Sequence, residues 1–481
     1  MLADRPIQLL SSTESLCPIC LKRVAAIREQ QGDAVYLVKQ CPEHGVFRTA
    51  VWRGSIPFST WLRPKKPSAP RQAFAPVQDG CPFDCGLCPS HGQHTCTALI
   101  EITGRCNLRC PVCFADAGEA QATDEPTLDR IGWLYDRILA ASGPCNIQLS
   151  GGEPTMRSDL AAIIGLGRSK GFDFIQLNSN GLRLAADPDY ALSLKQAGLA
   201  SVFLQFDGLS NDVHIALRGR DLREIKDQAI GHCAAAGLGV VLVPTLVPGV
   251  NTGEIGAIID YAVRRAPTVR GVHFQPISYF GRYPQGPADA DRLTLPEVIE
   301  LLQAQCGGAI RAEHFAPPAC EHALCSFHGN FLVEEDGQLM ALGNRKSACC
   351  STGEPDNGER NDSRLNSAVP TALEGRNKSV GFTARQWSAP PLPLAQAAVP
   401  CGCENQPQKP QDDFDRFLSR ARTHTFSVSA MAFQDVWNLD LERLRGCCIH
   451  VVAPSGNLIP FCAYNLTSNL GKPLYRGALP R

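Results

Sequence analysis

Charge of one sign is missing from this 481-residue sequence: 46 lysines and arginines face 47 aspartates and glutamates, for a formal net charge of −1. That balance removes the electrostatic case for a nucleic-acid surface, so no nucleic-acid partner is expected. Long hydrophobic runs are absent too. No stretch reaches the roughly 18 uninterrupted apolar residues of a membrane span, and the run at 240–250 is strand-sized and broken by Pro244 and Pro248. Residues 1–10 are short and carry both signs of charge, unlike a secretory leader. No repeat appears beyond a β/α period. With 44% apolar residues the chain can bury an ordinary core, and its length suits two or three domains. The expectation is a cytoplasmic globular protein.

What is abundant is cysteine, at 22 residues. Secreted disulfide scaffolds are equally cysteine-dense but usually short. A long chain without a leader points to a reducing compartment, with thiols used as metal ligands rather than bridges, and to sensitivity towards oxygen.

Residues 1–70 read as a small β module in which Cys17-Pro-Ile-Cys20 and Cys41-Pro-Glu-His44 form two metal-binding knuckles. Residues 71–97 are a proline-rich link followed by a cysteine loop. From 98 to 296 the pattern alternates strands (98–103, 146–150, 174–178, 201–206, 239–246, 269–276) with helices, giving six β/α repeats. This predicts an α/β fold with a parallel sheet and helices outside. Each notable polar motif falls just after a strand, the face on which parallel barrels carry active sites. Residues 297–352 form an extension with a helix (297–305) and a strand (330–334). Residues 353–412, rich in Ser, Asn, Pro and Gln, read as a flexible linker. Residues 413–481 read as two helices (413–422, 433–444) and a hairpin opening at Cys447-Cys448 and turning at 454–457.

Cys106, Cys110 and Cys113 follow the first barrel strand at x3-x2 spacing. Three thiolates so placed can hold three irons of a four-iron cluster and leave the fourth open to a ligand. Downstream stands Gly151-Gly152-Glu153-Pro154, whose glycines permit close backbone approach and whose carboxylate can pair with an ammonium. The plainer alternative, a structural zinc knuckle, prefers four closed ligands in Cys-x2-Cys pairs; the agreement of spacing, strand and repeat pattern favours the cluster. Cys81, Cys85 and Cys88 share the spacing without the strand, and with Cys96 as fourth ligand they suit a closed auxiliary [4Fe-4S] cluster, a zinc site or a second ligand-binding cluster of the Cys106 kind being the alternatives. Cys17, Cys20, Cys41 and His44 fit one zinc or mononuclear iron. Cys320, Cys325, Cys447, Cys448 and Cys462 could furnish a further cluster, with one of the adjacent pair a bystander. Cys145, Cys233 and Cys306 read as core residues; Cys349, Cys350, Cys401 and Cys403 stay unassigned. Asp207 and His214 could bind substrate or ribose, or act as a helix cap and a surface histidine. Arg218 and Arg220 could meet an anion or simply lie on a solvated loop.

On the Cys106 loop and the Gly-Gly-Glu-Pro segment the chain resembles the radical S-adenosylmethionine (SAM) superfamily, although many members have an aromatic residue before the third cysteine where this chain has Val112, followed by Cys113 and Phe114. The resemblance implies that the open iron chelates SAM, that Gly151–Pro154 contacts its amino group, and that Asn178, Asn180 and Asp207 line the cofactor. The strings CPIC…CPEHG, GCPFDCGLCPSHGQHTCTALIEITGRCNLRCPVCF and RGCCIHVVAPSGNLIPFCAYN are similar to a branch containing the archaeal tetraether lipid synthase, with members described as pterin methyltransferases. This implies a partial (β/α)6 barrel of the TIM type, Cys-rich extensions at both ends, three clusters plus one mononuclear metal, and Cys320, Cys325, Cys448 and Cys462 as ligands of the third. The implied reaction is reductive cleavage of SAM to a 5′-deoxyadenosyl radical that attacks an unactivated carbon. A reducing donor such as ferredoxin or flavodoxin is expected. Three readings stay open: coupling of lipid chains, with peripheral membrane contact; methylation of a pterin-like small molecule; and a non-catalytic iron–sulfur electron carrier. A lipid predicts a long apolar cavity opening from the barrel, a pterin a compact polar one with carboxylates.

Overall fold

A computed structural model describes residues 6–118, 120–283, 286–342, 369–390 and 412–477. Four antiparallel strands come first, β1 (Ile7–Leu16), β2 (Arg23–Gln31), β3 (Ala34–Cys41) and β4 (Gly45–Arg53), in simple meander order. The second sheet begins with β5 (Thr97–Thr103), β6 (Asn146–Gly151), β7 (Ile175–Ser179), β8 (Ser201–Gln205) and β9 (Gly239–Val243). After the short β10 (Thr245–Leu246) comes β11 (Val269–Pro276). β5, β6, β7, β8, β9 and β11 are successive parallel neighbours, the arrangement helical crossovers produce. The six expected strands therefore form, within a residue or two of their predicted ends save that the fifth is split at Pro244.

Both edges of this sheet are extended by the later chain: β12 (Ser326–Val333), β13 (Leu339–Ala341), β14 (Thr425–Met431), β15 (Ile449–Val452) and β16 (Leu458–Pro460). β14 runs parallel to β11 and pairs antiparallel with β12, while β15 runs parallel to β5. Strand alternation explains what encloses what. Ile100, Ile147, Leu177, Leu204, Leu242, Val272 and Val428 point to the helices and are fully buried in the main core. Their alternates Leu99, Gln148, Asn178, Phe203, Val243, His273 and Ser429 line one interior cavity. A sheet whose inner side chains all face one cavity is curled into a partial barrel.

Two expectations fail. The stretch read as a linker contains a helix, Ala372–Trp387, started by a capping box of Thr371 with Glu374. It lies across the N-terminal ends of the barrel strands: Arg376 donates to the Thr95 carbonyl (2.9 Å), Asn146 to the Val380 carbonyl (3.4 Å) and Arg270 to the Gln386 carbonyl (3.0 Å). Residues 343–368 and 391–411, with Cys349, Cys350, Cys401 and Cys403, lie outside the described residues. The helix expected at 433–444 is confined to Leu441–Arg445. β14, just before it, was not anticipated. Among the described residues no helix is long and apolar enough to cross a membrane.

Candidate functional site

The loop after β5 carries Cys106, Cys110 and Cys113, and all three line a cavity of about 590 Å3. Neighbouring chain holds this loop. Arg282 donates to the carbonyls of Cys110 (3.0 Å) and Ala117 (2.9 Å), and its backbone exchanges hydrogen bonds of 2.9 and 2.8 Å with Cys113. Gly281 makes the approach feasible: at φ +68° a Cβ there would stand 2.4 Å from the carbonyl oxygens of Cys113 and Phe114. Burial pushes the Cys106 thiol up to about 11 and raises Cys110 as well, so a metal seated here must displace protons.

The glycines of Gly151-Gly152-Glu153-Pro154 answer to this loop before any ligand. A Cβ on Gly151 would lie 2.1 Å from the Thr103 carbonyl oxygen, and one on Gly152 2.1 Å from that of Arg105. Glu153 is buried, its Oε1 accepting from the Thr155 amide (3.2 Å) and hydroxyl (2.6 Å) and from the Ser179 hydroxyl (2.9 Å), its Oε2 from the Asn180 amide (2.7 Å). Oε2 keeps acceptor capacity on the cavity side. Asn178 and Asn180 line the cavity with it, and Asn180 Nδ2 reaches Asn107 of the cysteine loop (2.7 Å).

Pro154 and Asp207 are not among the cavity-lining residues, which corrects their assignment beside a ligand. Both oxygens of Asp207 take hydrogen bonds from Arg218 at 2.6 Å, and Arg218 continues to the Val112 carbonyl (2.8 Å). Burial would raise the Asp207 carboxyl; Arg218 overcomes this and holds it below the usual aspartate range. Asp207 thus braces the cysteine loop through Arg218, and neither lies on a solvated loop. His214 is fully buried rather than at the surface, its Nε2 3.0 Å from the Gly208 carbonyl.

Two further groups of ligand atoms converge. Those of Cys17, Cys20, Cys41 and His44 lie within 4.8 Å of one another. Burial would raise the Cys41 thiol, but the hydrogen bond with His44 brings it down to about 6. The sulfurs of Cys96, Cys320 and Cys448 also fall within 4.8 Å of one another. Cys96 therefore stands with Cys320 and Cys448, not with Cys81, Cys85 and Cys88. The reason is register: Cys96 precedes β5, Cys448 precedes β15, and Thr97 pairs with Ile449. Hydrogen bonds with Cys320 and Cys448 hold the Cys96 thiol well below its ordinary value. Of the implied set of Cys320, Cys325, Cys448 and Cys462, only Cys320 and Cys448 fall in this group; Cys325 accepts from Arg443 (3.2 Å) and Cys462 from the Gln434 amide (3.2 Å). Cys81, Cys85, Cys88 and Arg445 border a separate small cleft. Cys145 and Cys233 are buried and Cys306 half-buried.

The cavity runs the length of the barrel, from the Cys106 loop to Ser379, Phe382 and Trp387 of the helix beneath. Sequence reading missed this lower half. The available signal was the Ser427-x-Ser429 alternation of β14, which places small polar residues inside.

Residues 9–53 match the HMPTM N-terminal zinc ribbon domain, and residues 100–262 match the radical SAM superfamily. Over 94% of its length the chain is 33% identical to 7,8-dihydro-6-hydroxymethylpterin dimethyltransferase of Methanocaldococcus jannaschii, covering 93% of that protein. Over 42% it is 29% identical to GTP 3′,8-cyclase 3 of Mycobacterium bovis, covering 52% of it. The crystal structure of Streptococcus suis SuiB bound to S-adenosylmethionine aligns over 40% of this chain and 44% of that one, at 10% identity and a TM-score of 0.34. The chain belongs to the radical SAM superfamily, in the family of the methanococcal pterin dimethyltransferase. It is a radical SAM enzyme, which sets aside the electron-carrier reading; the family's cofactors are a [4Fe-4S] cluster and SAM.

Proposed function

We propose that this enzyme methylates a carbon of a pterin-like heterocycle, with Cys106, Cys110 and Cys113 as ligands of the SAM-binding [4Fe-4S] cluster. Six neutral hydrogen-bonding side chains set into the otherwise mainly apolar cavity wall support the reading: Gln148, Asn178, Gln205, His273, Gln275 and Ser429. The M. jannaschii relative, whose name specifies a pterin, points the same way.

A [4Fe-4S] cluster with SAM would supply a 5′-deoxyadenosyl radical able to take hydrogen from an unactivated carbon. The chain's own residues do the rest. Gly151 and Gly152 let the strand-end backbone lie against the cysteine loop, and Glu153 Oε2 offers a carboxylate to the SAM ammonium. Asn178 and Asn180 position the ligand, and the barrel wall keeps water from a reactive carbon. Cys17, Cys20, Cys41 and His44 hold the mononuclear metal. Cys81, Cys85 and Cys88 hold one auxiliary cluster, and Cys96, Cys320 and Cys448 a second. The reducing electron comes from a carrier such as ferredoxin or flavodoxin, in the cytoplasm.

The test is 5′-deoxyadenosine formation by anaerobically purified, reduced protein with SAM, with and without 7,8-dihydro-6-hydroxymethylpterin. The pterin should raise the yield at least tenfold, and the Cys106→Ala, Cys110→Ala, Cys113→Ala triple variant should give none. Stimulation by a diether lipid but not by the pterin would reverse the substrate assignment.

A further inference from the structure

Most polar groups inside the barrel already have partners. Gln148 donates to Gln176 (2.8 Å), His273 Nδ1 meets the Ser429 hydroxyl (2.8 Å), and Arg218 is paired as described. Against that background four cavity-lining residues carry buried polar atoms with no hydrogen-bond partner: Glu321 Oε2, Ser326 Oγ, His328 Nδ1 and Asn178 Oδ1. The first three share one wall. Ser326 and His328 are alternate residues of β12 and so face the same side. Glu321 directly follows Cys320, which meets Cys96, on the segment that leads from Ala316, which pairs with His328, into β12.

An unpartnered buried polar atom is expensive, and several on one cavity wall are the mark of a site completed by a ligand. Their chemistry narrows the ligand. Glu321 and Glu153 are the carboxylates of the cavity, and Glu153 belongs to the end beside the cysteine loop. Lys65 donates to the backbone carbonyls of Cys320 and Glu321 and leaves the Glu321 carboxylate alone. A carboxylate accepts two parallel N–H bonds in one plane. An adjacent ring N–H and exocyclic amine offer that pair. Phe382 lies 6.1 Å from His328, and the rings of Phe203 and Trp387, with centroids 5.5 Å apart, line the same cavity. Such aromatic walls suit a planar heterocycle.

We propose that Glu321, Ser326 and His328 form the subsite that reads the amino-oxopyrimidine edge of the substrate ring, Glu321 accepting from the ring N–H and the 2-amino group while Ser326 and His328 pair with the remaining polar atoms. This rests on the pterin reading above and names the residues that set its specificity.

The test is equilibrium dialysis of the cluster-loaded full chain, with SAM present, against 6-hydroxymethylpterin and against 6-hydroxymethyllumazine, which carries oxygen in place of the 2-amino group. Wild type should hold the pterin at least tenfold more tightly, because oxygen facing a carboxylate leaves both unpaired. Glu321→Gln, with iron content and SAM affinity unchanged, should lose at least tenfold for the pterin and little for the lumazine, erasing the preference. Ser326→Ala should lose about threefold. Equal wild-type affinity for the two rings overturns the subsite, as does a preference that survives in iron-replete Glu321→Gln. Should that variant lose iron because it adjoins Cys320, the wild-type ring comparison and Ser326→Ala decide alone. Wild type that binds neither ring defeats the pterin reading itself, a result distinct from binding both equally.

Discussion

The pair of Asp207 and Arg218 shows how a residue's chemistry follows from burial. Each looked like a group awaiting a ligand; together they are 0% and 5% exposed and satisfy one another bidentately. Removing one partner strands the other charge, which typically costs about 3–5 kcal/mol. Arg218→Ala should therefore lower stability by about that amount in urea denaturation, and Asp207→Asn by a comparable amount, because an uncharged amide leaves the buried guanidinium unpaired. The pH dependence has a definite sign. The folded carboxyl sits below its unfolded value of about 3.9, so the unfolded chain binds more protons in that window and stability rises with pH. The pair's contribution is complete above the unfolded value and is lost as pH falls through the lower folded one. A plot of urea midpoint against pH should accordingly be shallower on the acid side for Asp207→Asn; identical slopes would show that the carboxyl is not held by Arg218. The grouping of Cys17, Cys20, Cys41 and His44 was legible because its spacing is local; that of Cys96 was not, because Cys320 and Cys448 lie far along the chain. The partner of Asp207 was not, because a loop arginine reads the same whether it is solvated or buried.

At the scale of elements, alternation was readable where apolar residues face helices and misleading where the inner face is polar. β14, Thr-Phe-Ser-Val-Ser-Ala-Met, presents Phe426, Val428 and Ala430 to the core and Ser427 and Ser429 to the cavity, so its serines resemble those of a loop. The helix Ala372–Trp387 was hidden for a related reason: the stretches on either side of it, rich in polar residues, dominate any window of composition. Its order comes from contacts with distant strand ends. Gly239 opens β9 without a side chain, and a Cβ there would lie 2.4 Å from the Trp387 carbonyl oxygen. Trp387 closes the base of the cavity against Phe203 and His273, with centroids 5.5 and 5.9 Å away. Trp387→Ala should admit water there and uncouple the enzyme. The expected outcome is at least twofold more 5′-deoxyadenosine in the absence of pterin, together with a lower pterin-dependent yield. Unchanged coupling would mean that the helix seals the barrel without help from this ring.

The whole molecule joins its two ends. The ribbon strands that precede the barrel in sequence lie against the chain that follows it. Ser15 donates to the Leu439 carbonyl (2.5 Å), buried Lys39 to that of Val436 (2.6 Å), Arg28 pairs with Asp440, and the Asn469 amide reaches the Pro18 carbonyl (2.7 Å). From the same ribbon Arg23 donates to the Cys81 carbonyl (3.1 Å), and Arg445 joins Glu14 (2.6 Å) beside the Cys81 cleft. The knuckle cysteines thus fix more than their own sheet. A four-stranded meander of this size has little core, and such modules draw their folding energy from the metal. Without it, the contacts that order 435–445 lose their base. Replacing Cys17 and Cys20 with serine should raise amide hydrogen exchange both in 15–39 and in 435–445, while 146–151 and 201–205, packed between neighbouring strands, keep their protection. Because Arg23 and Arg445 border Cys81, the variant should also retain less iron than wild type by an amount exceeding the single ion of the ribbon. If exchange rises only within the ribbon, it is an independent appendage. If it rises in both segments and iron falls with it, the ribbon metal is a structural support for the auxiliary cluster region, and a loss of activity in ribbon variants needs no direct catalytic role for that metal.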